Sequence, residues 1–153
     1  MRSTRVNQYV NAPRERVYRA LIDANAIAMW KVPDGMSCSV HSFEPREGGA
    51  FRISLTHSSP AAVGKTTAQT DTYHGYFVEL VPNERIVEID EFESDDPALQ
   101  GEMRITMTLS DRDGGTEVVG VHDGLPPGVS IGDNEAGWRM ALGKLAALVE
   151  STP

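Results

Sequence analysis

The spacing of apolar residues changes twice along this chain, and this pattern limits its fold more than any other feature. From Val17 to Ile22 apolar residues recur at helical spacing. Between residues 36 and 123 the period becomes two, most regularly from Met103 to Leu109, which is typical of strands with one buried face. Helical spacing then returns in one apolar stripe: Trp138, Ala141, Leu142, Leu145, Leu148 and Val149. The pattern predicts helices at both ends of the chain and a run of strands between them.

Short turn signals connect the predicted strands and favour an antiparallel sheet. Asp113-Gly114-Gly115 predicts a tight hairpin before the last strand. The whole pattern indicates an α+β fold with a sheet of about six to seven strands and one or two short N-terminal helices. A long C-terminal helix is predicted from a cap at Ser130 or Asp133 to about Glu150. The Ser-, Ala-, Thr- and Gly-rich residues 57–69 are predicted to form a loop.

Length and composition exclude several classes of protein. A chain of 153 residues with 40% hydrophobic and 24% charged residues predicts one globular domain over residues 1–153. The net charge of −8 argues against nucleic acid as a partner. No apolar run approaches the roughly 20 residues that span a membrane. Because the N-terminus also lacks the apolar run of a signal peptide, we expect a cytoplasmic protein.

The sequence contains none of the common signatures of catalysis, metal binding or nucleotide binding. No CxxC, HxH or HExxH spacing is present, and Cys38 is the single cysteine. There is no GxSxG nucleophile turn and no GxGxxG or P-loop pattern. The sequence alone therefore assigns no catalytic residue, no metal site and no cofactor.

Segments along nearly the whole chain carry a resemblance to a known family: 11–13, 17–21, 49–52, 74–75, 79–82, 84–87, 115–116 and 137–138, followed by Leu142 and Leu145. In these segments the chain resembles the START-like, helix-grip superfamily (SRPBCC), in the branch similar to the C-terminal domain of the heat-shock-protein ATPase activator. The resemblance implies a strongly bent antiparallel sheet wrapped around the C-terminal helix. It also implies a cavity between sheet and helix, which relatives use for lipids, sterols, polyketides or plant hormones.

Apolar residues on the predicted strands and C-terminal helix are candidates for lining such a cavity. They either line it or close on one another as an ordinary close-packed core. Gly120, which leaves space on its strand face, and the flexible Met103 and Met107 favour a cavity. Trp30 either covers the cavity mouth or packs against the sheet edge. The candidate apolar residues are Trp30, Phe51, Ile53, Met103, Ile105, Met107, Trp138 and Leu142.

Three polar residues complete the set of predicted ligand-binding residues. By strand parity His122 shares a face with Gly120, and the resemblance implies that this face points inward. His122 is there either a hydrogen-bonded core residue or an anchor for a ligand. Tyr76 either offers a hydroxyl at the cavity rim or is an ordinary exposed strand tyrosine. Glu88 and Asp90 share one face of their strand; they are expected to face solvent, or alternatively Glu88 projects into the cavity with a raised pKa.

The leading functional hypothesis is therefore the binding of a small, mainly hydrophobic molecule between the sheet and the C-terminal helix. One alternative is an enzyme, cyclase/aromatase-like or hydrolase-like, that uses acid–base residues in that cavity, such as Glu88 and His122 if they converge. A second alternative is a chaperone co-factor or stress-response interaction domain. Strands with apolar residues at both parities would also allow a homodimer.

Overall fold

The computed structural model describes residues 2–59, 64–66 and 69–151. Within these residues the strands are β1 (Ser3–Val10), β2 (Met36–Phe43), β3 (Ala50–His57), β4 (Thr70–Val81), β5 (Arg85–Phe92), β6 (Met103–Arg112) and β7 (Gly115–Asp123). The α-helices are α1 (Arg14–Leu21), α2 (Ala24–Trp30) and α3 (Ile131–Ser151), and one turn of 3₁₀-helix spans Pro97–Leu99. None of the helices in the described residues is long and apolar enough to cross a membrane.

The strands form one antiparallel sheet in the order β1-β7-β6-β5-β4-β3-β2. The sheet curls into a half-barrel around α3. The helix buries the stripe formed by Ala141, Leu142, Leu145, Ala146 and Val149. The α+β helix-grip prediction is therefore confirmed, with seven strands and two short N-terminal helices.

Local sequence explains where the helices begin. Pro13, which has no backbone N–H to leave unsatisfied, directly precedes α1. The Asp23 carboxylate caps α2 by accepting hydrogen bonds from the backbone N–H groups of Asn25 and Ala26. Ser130 Oγ accepts a hydrogen bond from the backbone N–H of Asp133 at 3.2 Å, so Ser130 is the N-cap of α3.

Two connections between strands differ in length. The β6–β7 hairpin turns at Asp113 and Gly114, whose φ angles of 45° and 80° lie in the left-handed region that this tight turn requires. The predicted loop at residues 57–69 joins β3 to β4, and its residues 60–63 and 67–68 lie outside the described residues. Within the loop, Lys65 holds the buried Asp71 carboxylate through both its backbone N–H and its ammonium group.

Candidate functional site

The register of the strands brings three titratable side chains onto the inner face of the sheet. Residues directly opposite each other in an antiparallel pair point to the same side. One row of such residues is Thr4, His122, Ile105, Glu88 and Phe77. The neighbouring row is Met103, Asp90, Gly75 and Phe51. Glu88, Asp90 and His122 are therefore enclosed among apolar side chains.

All but one of the predicted ligand-binding residues lie in this interior. The buried ones are Trp30, Phe51, Ile53, Glu88, Met103, Ile105, Met107, His122 and Leu142. Trp138, on α3, is half-buried. Tyr76 lies apart from them and is 43% exposed, because it pairs with Ile89 on the opposite face of the sheet. The buried Tyr73 and Phe77 have the opposite parity to Tyr76, so the regular alternation of β4 turns the Tyr76 side chain outward.

Lys31 and Glu88 form an ion pair inside the protein. Lys31 Nζ lies 3.1 Å from Oε1 and 3.2 Å from Oε2 of Glu88. The side chains are only 10% and 6% exposed. Burial would lower the pKa of Lys31, but the surrounding acidic groups, with the Glu88 carboxylate first among them, together raise it above its usual value. Both side chains are therefore charged, and the aromatic ring of Phe51, 5.9 Å from Lys31 Nζ, adds a second favourable contact for the ammonium.

Asp90 adds a second carboxyl group beside this pair. It is buried on the same face of β5 as Glu88, and two neighbouring buried carboxyl groups disfavour a charge on both of them. Burial, followed by the Glu88 charge, raises the pKa of Asp90 well above its usual value. Burial alone would raise the pKa of Glu88 as well, but Lys31 and then Asp90 lower it below its usual value. Asp90 therefore holds the proton, and its Oδ1 has no hydrogen-bond partner among the described residues.

This geometry corrects the sequence-based expectation for β5. Glu88 and Asp90 were expected to face solvent, yet both are buried on the inner face. The alternative placed Glu88 inside with a raised pKa, and the structure shows the inward position with a lowered pKa. The reason is Lys31, which follows α2 directly and was not among the predicted site residues. A single lysine directly after the apolar helix Ala24–Trp30 was the signal available in the sequence.

His122 is held in its neutral form by Trp138. The indole Nε1–H of Trp138 donates to His122 Nδ1 at 2.9 Å, so Nδ1 is unprotonated and the ring proton lies on Nε2, 3.1 Å from Met103 Sδ. Burial lowers the pKa of His122 to about 4. Glu88 lies in the same row but two strands away, roughly 10 Å at normal strand spacing, with Ile105 between them. The two residues do not form a direct acid–base pair.

A small cavity lies beside the Lys31–Glu88 ion pair. Its volume is about 10 Å³, which is room for one water molecule. It is lined by Leu21, Ile27, Trp30, Lys31, Ile86, Glu88, Met107 and Trp138. The interior is therefore closely packed at this point, and the Lys31–Glu88 pair contributes the charged groups of the cavity lining.

The connection between α2 and β2 closes this cavity against α3. Lys144 Nζ donates to the Val32 carbonyl oxygen at 2.7 Å and pairs with the Asp34 carboxylate at 3.1 Å. The Asp34 backbone N–H points at Met140 Sδ, 3.4 Å away. These contacts between polar, partly exposed groups are individually weak. The strap formed by residues 31–35 is therefore joined to α3 mainly by a few polar contacts near the surface.

No group of His, Cys, Asp and Glu side chains among the described residues is arranged to hold a metal ion. A separate groove of about 350 Å³ lies on the outside, between α1, α2 and the end of α3. Arg16 and Arg19 border it, and Leu148 and Val149 form part of its apolar floor.

Comparisons with known proteins agree with this fold. The crystal structure of protein CV1439 from Chromobacterium violaceum is similar to this chain, with 35% identity, a TM-score of 0.88 and 99% of both chains covered. Protein MLL2253 from Mesorhizobium loti, at 21% identity, 99% coverage of both chains and a TM-score of 0.73, shares the fold. So does a protein from Arthrobacter aurescens, at 15% identity and a TM-score of 0.78, over 99% of this chain and 87% of that one.

A search of curated proteins finds no match. A family model described as activator of Hsp90 ATPase homolog 1-like protein matches residues 11–150. That range runs from the residue after β1 to the penultimate residue of α3 and so includes the whole candidate site. The chain therefore belongs to the family of activator of Hsp90 ATPase homolog 1-like proteins.

Proposed function

We propose that this protein binds a small, mainly apolar molecule between the sheet and α3, with one polar group of the ligand directed at Lys31, Glu88 and Asp90. The observation that carries the proposal is this charged cluster inside an apolar interior. Burying an ion pair costs several kcal/mol per ion before attraction offsets it, and apolar residues of similar size often do as well for stability. Perturbed buried groups of this kind are typical of functional sites. The fold family, which commonly binds hydrophobic ligands, supports the same conclusion.

The proposal assigns the polar contacts to this cluster rather than to His122 and Tyr76. Both ring nitrogens of His122 already have neighbours in Trp138 and Met103. Tyr76 is on the outer face. Lys31 still has an N–H to offer, because an ammonium group has three donors and Glu88 accepts two of them.

A ligand larger than a water molecule needs side chains to move. Met107 lines the cavity, and its Sδ occupies the space that a side chain at Gly120 would fill, 3.1 Å from the position of a Cβ there. Methionine has three flexible bonds and can repack at low cost. Release of Lys144 from Val32 and Asp34 would open the strap at the same end. The ligand therefore enters between the strap and α3.

The two tryptophans of the chain, Trp30 and Trp138, both line the cavity and report on this event. Native mass spectrometry of the purified protein comes first, followed by extraction of any bound molecule. Titration with a panel of apolar compounds should then change tryptophan fluorescence and raise the melting temperature. The Trp138→Phe variant should keep a smaller fluorescence response from Trp30. If the purified protein contains no bound molecule, and no compound of the panel changes its tryptophan fluorescence or melting temperature, the proposal is contradicted and a filled core is indicated.

Enlarging the cavity provides a second test. Met107→Ala removes the flexible side chain from the cavity wall and should increase affinity for small apolar probes such as benzene, as engineered apolar cavities do. Met29→Ala is the matched control, because Met29 is 61% exposed on α2. Equal affinities in the two variants would show that probes bind elsewhere.

The opposite pKa shifts of Glu88 and Asp90 favour a second candidate function, acid–base catalysis on the bound molecule. Glu88 supplies a base and Asp90 an acid within one site. Incubation of a co-purified ligand in heavy water tests this directly. Protein-dependent exchange of carbon-bound hydrogen that disappears in Glu88→Gln would support catalysis, and binding without exchange would leave the protein as a carrier.

A further inference from the structure

We propose that the polar group of the ligand is an amine, which donates hydrogen bonds to the Asp90 carboxylate. This inference rests on the proposed function and names the chemical class of its ligand. The interior site that it uses is the unpartnered oxygen of Asp90 next to the Lys31–Glu88 ion pair.

The first argument is the missing hydrogen bond. Asp90 is 4% exposed, and its Oδ1 has no partner among the described residues. A buried acceptor without a donor is costly, so such atoms normally have a partner. A ligand that satisfies it must bring an N–H or O–H group. Carboxylates, phosphates, ethers and ketones have only acceptors and would add a second unsatisfied atom.

The second argument is the charge balance of the site. Lys31 is positive, Glu88 is negative and Asp90 is neutral while it holds its proton. A cationic ammonium group would allow Asp90 to ionise as well, because the two carboxylates would then face two cations. An added anion would leave the site with excess negative charge. The net charge of −8 also attracts cations to the protein surface.

The other titratable groups that interact with this cluster are neutral. Burial raises the pKa of Tyr73, on β4, and of Cys38, on β2, so both keep their protons at neutral pH. His122, on β7, is neutral because burial lowers its pKa to about 4. Asp90 is therefore the group whose protonation changes when an ammonium arrives. The amine enters as the ammonium ion, the Asp90 O–H bond breaks, and the proton leaves to solvent, so that one proton is released for each amine bound.

Matched ligands test this directly by titration calorimetry. Benzylamine, benzyl alcohol, toluene and benzoate differ only in the polar group, and hexylamine, hexanol and hexanoate repeat the comparison on an aliphatic chain. At pH 7 the amines should bind at least tenfold more tightly than the alcohols, and the acids should bind weakest. Measurement in two buffers of different ionisation enthalpy should show the release of about one proton for each amine. Amine affinity should rise about tenfold for each pH unit while free Asp90 is protonated.

Asp90→Asn removes the carboxyl group that ionises when the amine binds and should abolish the amine preference while alcohol and toluene binding stays within about twofold. Asp95→Asn, at an exposed aspartate, is the matched control and should bind the amines as the original protein does. Binding of toluene and alcohols without an amine preference would overturn this inference and leave the proposed function intact. Unchanged amine binding in Asp90→Asn would overturn it in the same way. If no ligand binds the protein or its Met107→Ala variant, both proposals fail.

Discussion

Replacing Lys31 with methionine should destabilise the protein by about 3–5 kcal/mol at pH 7. The ammonium group is the close cation of the buried Glu88 carboxylate, at 3.1 and 3.2 Å from its two oxygens. Removal of one partner from a buried ion pair leaves an uncompensated charge, which carries a cost of this size. Methionine retains most of the aliphatic stem, so the change measures the charge more than the packing.

The loss of stability in the Lys31→Met variant should depend on pH, and its direction follows from the pKa of Glu88. In the intact protein Lys31 lowers the pKa of Glu88, so Glu88 contributes stability above its unfolded pKa of about 4.3, and this is lost on further acidification. Without Lys31, burial raises that pKa. The contribution of Glu88 to the stability of the variant is then most favourable at or below pH of about 4.3 and falls as the pH rises toward the new folded pKa. The difference between the two proteins should therefore grow between pH 4 and pH 7.

Urea unfolding followed by tryptophan fluorescence measures this difference. With a slope of about 2 kcal/mol per molar urea, the midpoint of Lys31→Met should fall by roughly 2 M at pH 7 and by much less at pH 4.5. A midpoint shift below roughly 0.5 M at pH 7 (about 1 kcal/mol at this slope), or an equal shift at both pH values, would show that Lys31 does not hold a buried charged Glu88.

A double variant distinguishes the effect of the unpaired Glu88 charge from a general failure of the Lys31→Met variant to fold. Lys31→Met combined with Glu88→Met removes both charges and should recover most of the lost stability, because apolar replacements of a buried ion pair are often neutral or better. If the single variant does not fold, recovery in the double variant still supports the argument. A double variant less stable than either single change would contradict it.

Three further predictions use unfolding free energies. Neutral His122, with its pKa lowered to about 4, contributes up to about 3 kcal/mol of stability above its unfolded pKa of about 6.5, and this contribution is lost toward pH 4. The His122→Gln variant should therefore lose less stability on acidification, and equal slopes of unfolding free energy against pH in the two proteins would refute this. The stability contribution of Asp90, whose folded pKa is raised, is lost as the pH rises above the unfolded pKa of an aspartate. The unfolding free energy of Asp90→Asn should therefore increase relative to that of the original protein from pH 4 to pH 7, and a constant difference would be inconsistent with a protonated Asp90. Gly75→Ala should lower the unfolding free energy by more than about 3 kcal/mol, because its Cβ would lie 1.8 Å from the Ile89 carbonyl oxygen. Gly143→Ala, whose Cβ would have nothing within 4 Å, should raise the unfolding free energy by about 1 kcal/mol. Shifts in the same direction for the two variants would contradict the packing argument.

The sequence alone determined the layout of elements and the facing of the most regular strands. The alternation from Met103 to Leu109 predicted one buried face, and the parity of His122 with Gly120, together with the family resemblance, predicted that their face points inward; the structure has these side chains there. These predictions succeed because a pleated strand has a period of two and a helix of 3.6, so one buried face leaves a readable pattern. The turn at Asp113-Gly114-Gly115 likewise marks the β6–β7 hairpin through its local backbone preference.

Only the tertiary structure decided the chemistry of the interior. Strand parity placed Glu88 and Asp90 on one face of β5 and the apolar Val87 and Ile89 on the other, so the sequence favoured a solvent-facing position for the carboxylates. The cation that makes burial of Glu88 tolerable lies 57 residues earlier in the chain, after α2, and reaches it only when α2 packs over the curled sheet. A carboxylate is exposed or buried according to whether a counter-charge lies close to it in space, and no local pattern carries that information.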